Sequence, residues 1–267
     1  MADWLDALQE AERLGAPCVL VTLLSARGST PREAGCKMVV TAEATAGTIG
    51  GGNLEFECTA HARSLLAAEP ATPVVRQFAL GPELGQCCGG QASVLFETIA
   101  GTSWQVAVFG AGHVGRALIG VLGTLACRVT WIDQRAEAFP PGCPRNVTVQ
   151  RAADPESLVG ALPAGTQVLV MTHEHGLDFA IIAAALARAD LPYVGLIGSQ
   201  TKRARFVAGL ARLGLPAEAI RRLVCPIGVA GVGGKAPAEI AVAVTAQLLQ
   251  ARDEMTQAAL PLEDVSR

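Results

Sequence analysis

Gly110, Gly112 and Gly115 stand in Gly-x-Gly-x-x-Gly spacing directly behind the apolar run Val106-Ala107-Val108-Phe109. About twenty residues further on, a second apolar run, Val129-Thr130-Trp131-Ile132, ends in an acid, Asp133. Strand, tight glycine turn, helix, strand and carboxylate is the order in which a dinucleotide is held on a helix N-terminus. Gly110 permits the turn, Gly112 lets a phosphate approach the backbone, and Gly115 lets the helix lie close to the strand. His113 falls inside the turn, beside the unpaired N–H groups that favour an anion. In that setting Asp133 hydrogen-bonds a ribose 2′-hydroxyl and favours NAD over NADP, a preference that Arg135 weakens.

Three further stretches carry chemistry. Thr172-His173-Glu174-His175 follows the apolar run at 168–171 and lies where open parallel sheets bind ligands, beyond the strand ends. His173 and His175 can serve there as acid and base or ligate a metal; the plainer alternative is that one caps a turn and the other is solvated. Gly198-Ser199-Gln200-Thr201-Lys202-Arg203 repeats the arrangement after the next strand. Ser199 or Thr201 caps a helix, and Lys202 and Arg203 either meet an anion at its start or form a solvated basic face. The run from Cys225 to Lys235 fails as a phosphate loop. Val229 replaces its first glycine, and Ala236 follows Lys235 where a hydroxyl would hold magnesium. It reads as a glycine loop before the last helix, with Pro237 in the first turn and Lys235 within reach of an anion.

Eight cysteines occur and none forms a Cys-x-x-Cys pair, which argues against a structural zinc knuckle. Most are expected to be small buried hydrophobes. The exception is the vicinal pair Cys87-Cys88, flanked by Gln86, Gly89 and Gly90. Adjacent cysteines form only a strained disulfide, whereas thiolates are soft ligands for transition metals and glycines let the backbone approach a ligand. Two buried thiols in a turn is the alternative. A second glycine loop, Gly50-Gly51-Gly52, precedes a helix.

The elements that must position these residues follow from periodicity. Residues 2–14 read as an amphipathic helix, 18–24 as a strand, 37–41 and 45–49 as a hairpin, and 54–68 as a helix. Strands are expected near 74–78 and 92–97, with a linker at 99–103. From residue 105 onward, strands at 106–109, 128–132, 147–150, 168–171 and 193–197 alternate with helices near 113–124, 155–161 and 177–189. Helices at 200–213, 216–222 and 237–252 follow. This pattern predicts an α/β protein: a C-terminal Rossmann-like doubly wound parallel sheet over 104–252, a smaller N-terminal α+β domain over 1–100, and a flexible tail over 253–267.

With 51% hydrophobic and 17% charged residues and a mean hydropathy of +0.37, the 267-residue chain suits buried parallel strands rather than disorder. A net charge of −3 argues against a general nucleic-acid binder. No apolar stretch is long enough to span a bilayer, and the acidic start Met1-Ala2-Asp3-Trp4-Leu5-Asp6 lacks a basic secretory leader, so a cytoplasmic location is expected.

Taken together, the stretches resemble the XdhC family, the maturation proteins of xanthine dehydrogenase, and the related CoxI-type accessory proteins of molybdenum hydroxylases. Arg27–Arg32, Gly50–Glu55 and Leu80–Gly90 are similar to the family's N-terminal motifs. Gly110–Gly115, Thr172–Asp178, Gly195–Phe206 and Cys225–Glu239 are similar to those of its C-terminal Rossmann domain. The resemblance implies a chaperone rather than a turnover enzyme, with no catalytic residue. Such a protein binds the molybdenum cofactor (a molybdopterin, with or without a nucleotide), protects it during sulfuration and inserts it into apo-xanthine dehydrogenase. On that reading the cofactor is held by Gly50, Gly51, Gly52, Cys87, Cys88, Gly110, Gly112, His113, Gly115, Asp133, His173, His175, Ser199, Lys202, Arg203 and Lys235. Cys87 or Cys88 would approach the molybdenum or its sulfur. The implied partners are xanthine dehydrogenase, a cysteine desulfurase and a second copy of the chain as a dimer, with no nucleic acid or membrane. The alternative from a different class is an NAD(P)-dependent oxidoreductase using the Rossmann domain. A thiol redox sensor built on Cys87-Cys88 ranks last, because the pair lacks the spacing of a working dithiol.

Overall fold

The computed structural model describes residues 3–27, 32–68, 72–80 and 90–259. These fall into two compact units, divided between Thr102 and Ser103. None of the described helices is long and apolar enough to cross a membrane.

The first unit comprises α1 (Asp3–Leu14), β1 (Cys18–Arg27), β2 (Lys37–Val40), β3 (Thr45–Gly47), α2 (Gly52–Ala67), β4 (Val74–Leu80) and β5 (Gly90–Ile99). Its antiparallel sheet has the order β3-β2-β1-β5-β4. Side chains along β1 alternate between the two faces, as a strand's period of two requires. Val19, Val21 and Leu23 pack with Leu54, Cys58 and Ala62 of α2. Cys18 and Leu20 pack on the other side with Trp4, Leu8 and Ala11 of α1.

The second unit comprises β6 (Gln105–Phe109), α3 (His113–Leu122), β7 (Arg128–Asp133), β8 (Val147–Arg151), β9 (Gln167–Val170), α4 (His175–Ala187) and β10 (Tyr193–Leu196). It continues with α5 (Gln200–Arg212), α6 (Ala217–Arg221), β11 (Leu223–Val224) and α7 (Pro237–Ala259). All its strands are parallel, in the order β11-β10-β9-β6-β7-β8. The chain therefore starts in the middle, winds out to β8, returns and winds out the other way, which puts the switch point between β6 and β9. Both faces are buried. Ala107, Phe109, Val168, Val170, Val194 and Leu196 pack under α4 and α5, while Val106, Val108, Leu169 and Tyr193 pack under α3 and α7. The doubly wound sheet and the smaller α+β unit are as the sequence predicts.

Three details differ from the sequence reading. Residues 155–161 form a 3-10 segment rather than an α-helix, packed beside α4. The sheet gains β11, a two-residue edge strand too short to show periodicity. The expected tail at 253 is instead the end of α7, which continues to Ala259 on helix-favouring Glu254, Met255, Gln257 and Ala258; residues 260–267 lie outside the described residues. Four cysteines, Cys18, Cys58, Cys127 and Cys225, are buried free thiols as expected. Burial raises the Cys58 thiol to about 12 and that of Cys127 to about 11, so both stay protonated and inert.

Gln167 is fully buried in β9 and joins three elements. Its carbonyl accepts the Trp104 indole N–H at 2.9 Å, and its amide donates to Leu248 O of α7 at 3.2 Å. Gln167→Met should leave the buried Trp104 indole N–H unpaired and lower stability by about 2 kcal/mol, measured by urea unfolding.

Candidate functional site

Gly110 takes φ +117°, and a Cβ there would collide with the Met171 carbonyl oxygen of the neighbouring strand end. A Cβ at Gly115 would strike the Gly110 carbonyl oxygen, so the helix can lie this close to the strand only without a side chain. Trp131 Nε1 donates to that same oxygen at 3.1 Å. Gly112 differs: a Cβ there meets nothing within 4 Å. The glycine geometry is thus the one the sequence predicts, with the turn and the close packing demanding glycine and the middle position facing open space.

Asp133 is 4% exposed and already satisfied from within the protein. One carboxylate oxygen accepts the Ala111 N–H at 2.7 Å and an Arg135 guanidinium N–H at 3.0 Å. The other accepts the Arg135 backbone N–H at 2.9 Å and Nε at 3.0 Å. Burial pushes the carboxyl up, but the hydrogen bonds from Arg135 and Ala111 outweigh it and hold the group below its ordinary value. In this structure the acid braces the glycine turn. A ribose hydroxyl would have to compete with these donors.

A second buried carboxylate lies on the far side of the switch point. Asp178, in the first turn of α4, is 1% exposed. One of its oxygens accepts the Thr172 N–H at 3.0 Å and the Thr172 hydroxyl at 2.7 Å, and the other meets Lys202 Nζ at 2.7 Å. Lys202 also donates to Ile197 O at 2.9 Å, so its charge ties α5 to α4 and to the end of β10. Ser199 caps α5 by accepting the Lys202 N–H at 3.2 Å. Ser199 is thus the helix cap that the sequence offers, whereas the Asp178 partner of Lys202 was not assigned from sequence. Asp178 has no place among the sequence-derived site residues. Its signals in the sequence are its place at a helix start and at the end of the Thr172–Asp178 motif.

His173 and His175 are both exposed and do not converge. His173 lines a small pocket with Asp133, Gln134 and Pro155. His175 lines the groove between α4 and α5 with Phe179, Arg205 and Phe206. Among the described residues no group of three or more His, Cys, Asp or Glu side chains could hold a metal ion. His113 is exposed, and Arg203 is half-buried near Cys225. Lys235 is exposed in the loop before α7. That loop is held by Gln247, whose carbonyl accepts the Gly228 N–H at 2.8 Å and the Tyr193 hydroxyl at 2.7 Å.

In the first unit, Gly50, Gly51 and Gly52 all have positive φ and lead into α2 without a side-chain cap. Glu55 holds them: one of its oxygens accepts the Thr48 hydroxyl and the N–H groups of Ile49 and Gly51, the latter two at 3.1 Å. Glu55 closes the Gly50–Glu55 motif, and its function as a brace becomes visible only in the fold. Cys87 and Cys88 lie outside the described residues.

The fold and the glycine turn define the class: an α/β protein with a Rossmann-type C-terminal unit. The XdhC Rossmann domain matches residues 106–248, and the XdhC and CoxI family matches residues 11–78. The chain belongs to the XdhC family. It is 29% identical over 247 residues to the Escherichia coli protein YqeB, described as uncharacterized. The match takes in 91% of this chain and 45% of YqeB, so the chain spans less than half the length of that relative. A Bacillus halodurans protein described as a xanthine dehydrogenase shares the fold, with a TM-score of 0.51 and 20% identity over 98% of both chains.

Asp133→Asn should weaken the brace on the glycine turn and cost about 2 kcal/mol near neutral pH. Because the native carboxyl lies below its ordinary value of 3.8, the wild-type advantage is fully present above that value. It should disappear as pH falls through the depressed native value. Urea unfolding of both proteins from pH 7 down to pH 2.5 measures the converging stabilities.

Proposed function

We propose that the protein is an accessory factor in xanthine dehydrogenase maturation that binds the molybdenum cofactor, shelters it during sulfuration and delivers it to the apoenzyme. The observation that carries this reading is membership of the XdhC family across both units. The cofactor combines a flat pterin, a phosphate and a soft metal centre that arrives with its own sulfur ligands. The described residues fit the organic part. The groove between α4 and α5 offers guanidinium groups and phenylalanine rings, which suit a phosphate and a ring. The soft end of the ligand falls to Cys87 or Cys88, as thiolates are matched to such metals. A cysteine desulfurase as sulfur donor, a cytoplasmic location and a homodimer belong to the same reading.

An NAD(P)-dependent oxidoreductase is the competing reading, favoured by the glycine turn. It requires Asp133 to exchange Arg135 and Ala111 for a ribose, and saturable NADH binding would be its signature.

Protein purified from cells that make the cofactor should carry a pterin, detected by fluorescence after oxidation. Cys87→Ala should lower pterin recovery severalfold with little change in melting temperature. Absence of pterin in the wild type, with xanthine dehydrogenase fully active in a strain lacking the protein, would remove the proposal.

A further inference from the structure

Helix α5, Gln-Thr-Lys-Arg-Ala-Arg-Phe-Val-Ala-Gly-Leu-Ala-Arg, has four cations and no acid. Lys202 is neutralised by Asp178. Arg205 donates no hydrogen bond and forms no ion pair among the described residues. Arg212 donates only to Ala208 O of its own helix, at 3.3 Å. The two arginines are seven residues apart and so share one face, about 10 Å apart along the axis.

Between them sits Gly209, where a Cβ would lie 2.7 Å from the Phe179 ring. The missing side chain lets Phe179 of α4 lie against α5, edge-on to Phe206 with ring centroids 5.4 Å apart. The result is a groove with an aromatic floor, cations along one wall and His175 at its entrance. The Glu174 carboxylate lies beside Gly176, one of the residues lining the groove. The half bounded by Ser199, Lys202 and Arg205 has a volume of about 400 Å³, within the range of small-ligand sites. By contrast, the glycine turn already has its Ala111 N–H and its acid engaged with each other.

We infer that this groove, rather than the glycine turn, is the phosphate-recognition element, and that it takes a phosphomonoester joined to a flat ring. Arg205 forks onto the phosphate oxygens, a geometry that guanidinium matches better than ammonium. The ring lies on Phe179, which is only partly buried, while Phe206, 7% exposed, backs it edge-on from the core. The inference rests on the cofactor reading only for the identity of the natural ligand.

The test is calorimetric titration of the full chain with GMP, guanosine and inorganic phosphate as probes. GMP should bind saturably, with guanosine and phosphate each at least tenfold weaker. Arg205→Ala should weaken GMP at least tenfold with an unchanged melting temperature, and Arg205→Lys should recover only part of the loss. Gly112→Ala, whose methyl has open space and would obstruct a phosphate at the glycine turn, reports on the rival site. No GMP binding by the wild type, a loss under twofold in Arg205→Ala, or a loss confined to Gly112→Ala would each overturn the assignment. Pterin retained fully by Arg205→Ala overturns it while leaving the cofactor reading intact. GMP held through Arg205 in a protein that recovers no pterin overturns the cofactor reading alone.

Discussion

The pair between Asp178 and Lys202 sets the geometry around it. A carboxylate this deeply buried is tolerable only when both its oxygens are hydrogen-bonded, and Asp178 is answered by a hydroxyl, a backbone N–H and an ammonium. Those donors come from the end of β9 and from α5, while the acid itself belongs to α4. One residue therefore fixes how two helices leave two adjacent strands. The groove between those helices inherits its shape from that anchor.

The glycine turn shows the same economy on the other half of the sheet. Asp133 and Arg135 close over the turn, leaving Gly112 as the open position. Two carboxylates, one on each side of the switch point, each hold a loop at a strand end: Asp133 the glycine turn, Asp178 the segment that begins at Thr172. Glu55 does likewise for Gly50–Gly52 in the first unit. At the two glycine loops, Asp133 and Glu55 replace the packing that side chains would supply.

Much of the fold was legible because β6, β9 and β10 are buried on both faces and so are written as unbroken apolar runs in Val106–Phe109 and Val168–Met171, with Tyr193–Leu196 interrupted only by Gly195. The roles of Gly110 and Gly115 were legible too, because glycine spacing reports backbone geometry. The partners of charged residues were not. Lys202 lies 24 residues from Asp178, and no local pattern couples them. Asp133 read as a ligand residue since its motif is shared between binding and bracing, and only the fold shows Arg135 and Ala111 on its oxygens. Arg205 and Arg212 had no assigned role in the sequence, and only the packing of Phe179 beside Gly209 sets them along a groove.

Gly209 also has an evolutionary consequence. The distance between α4 and α5 depends on one absent methyl group at a position with no chemistry of its own. Any side chain there would displace the Phe179 ring and spread the two helices apart. The width of the groove is thus adjustable without altering a single residue that would touch a ligand. Selection for a bulkier or slimmer guest could act there first, through a change that a catalogue of contact residues would overlook.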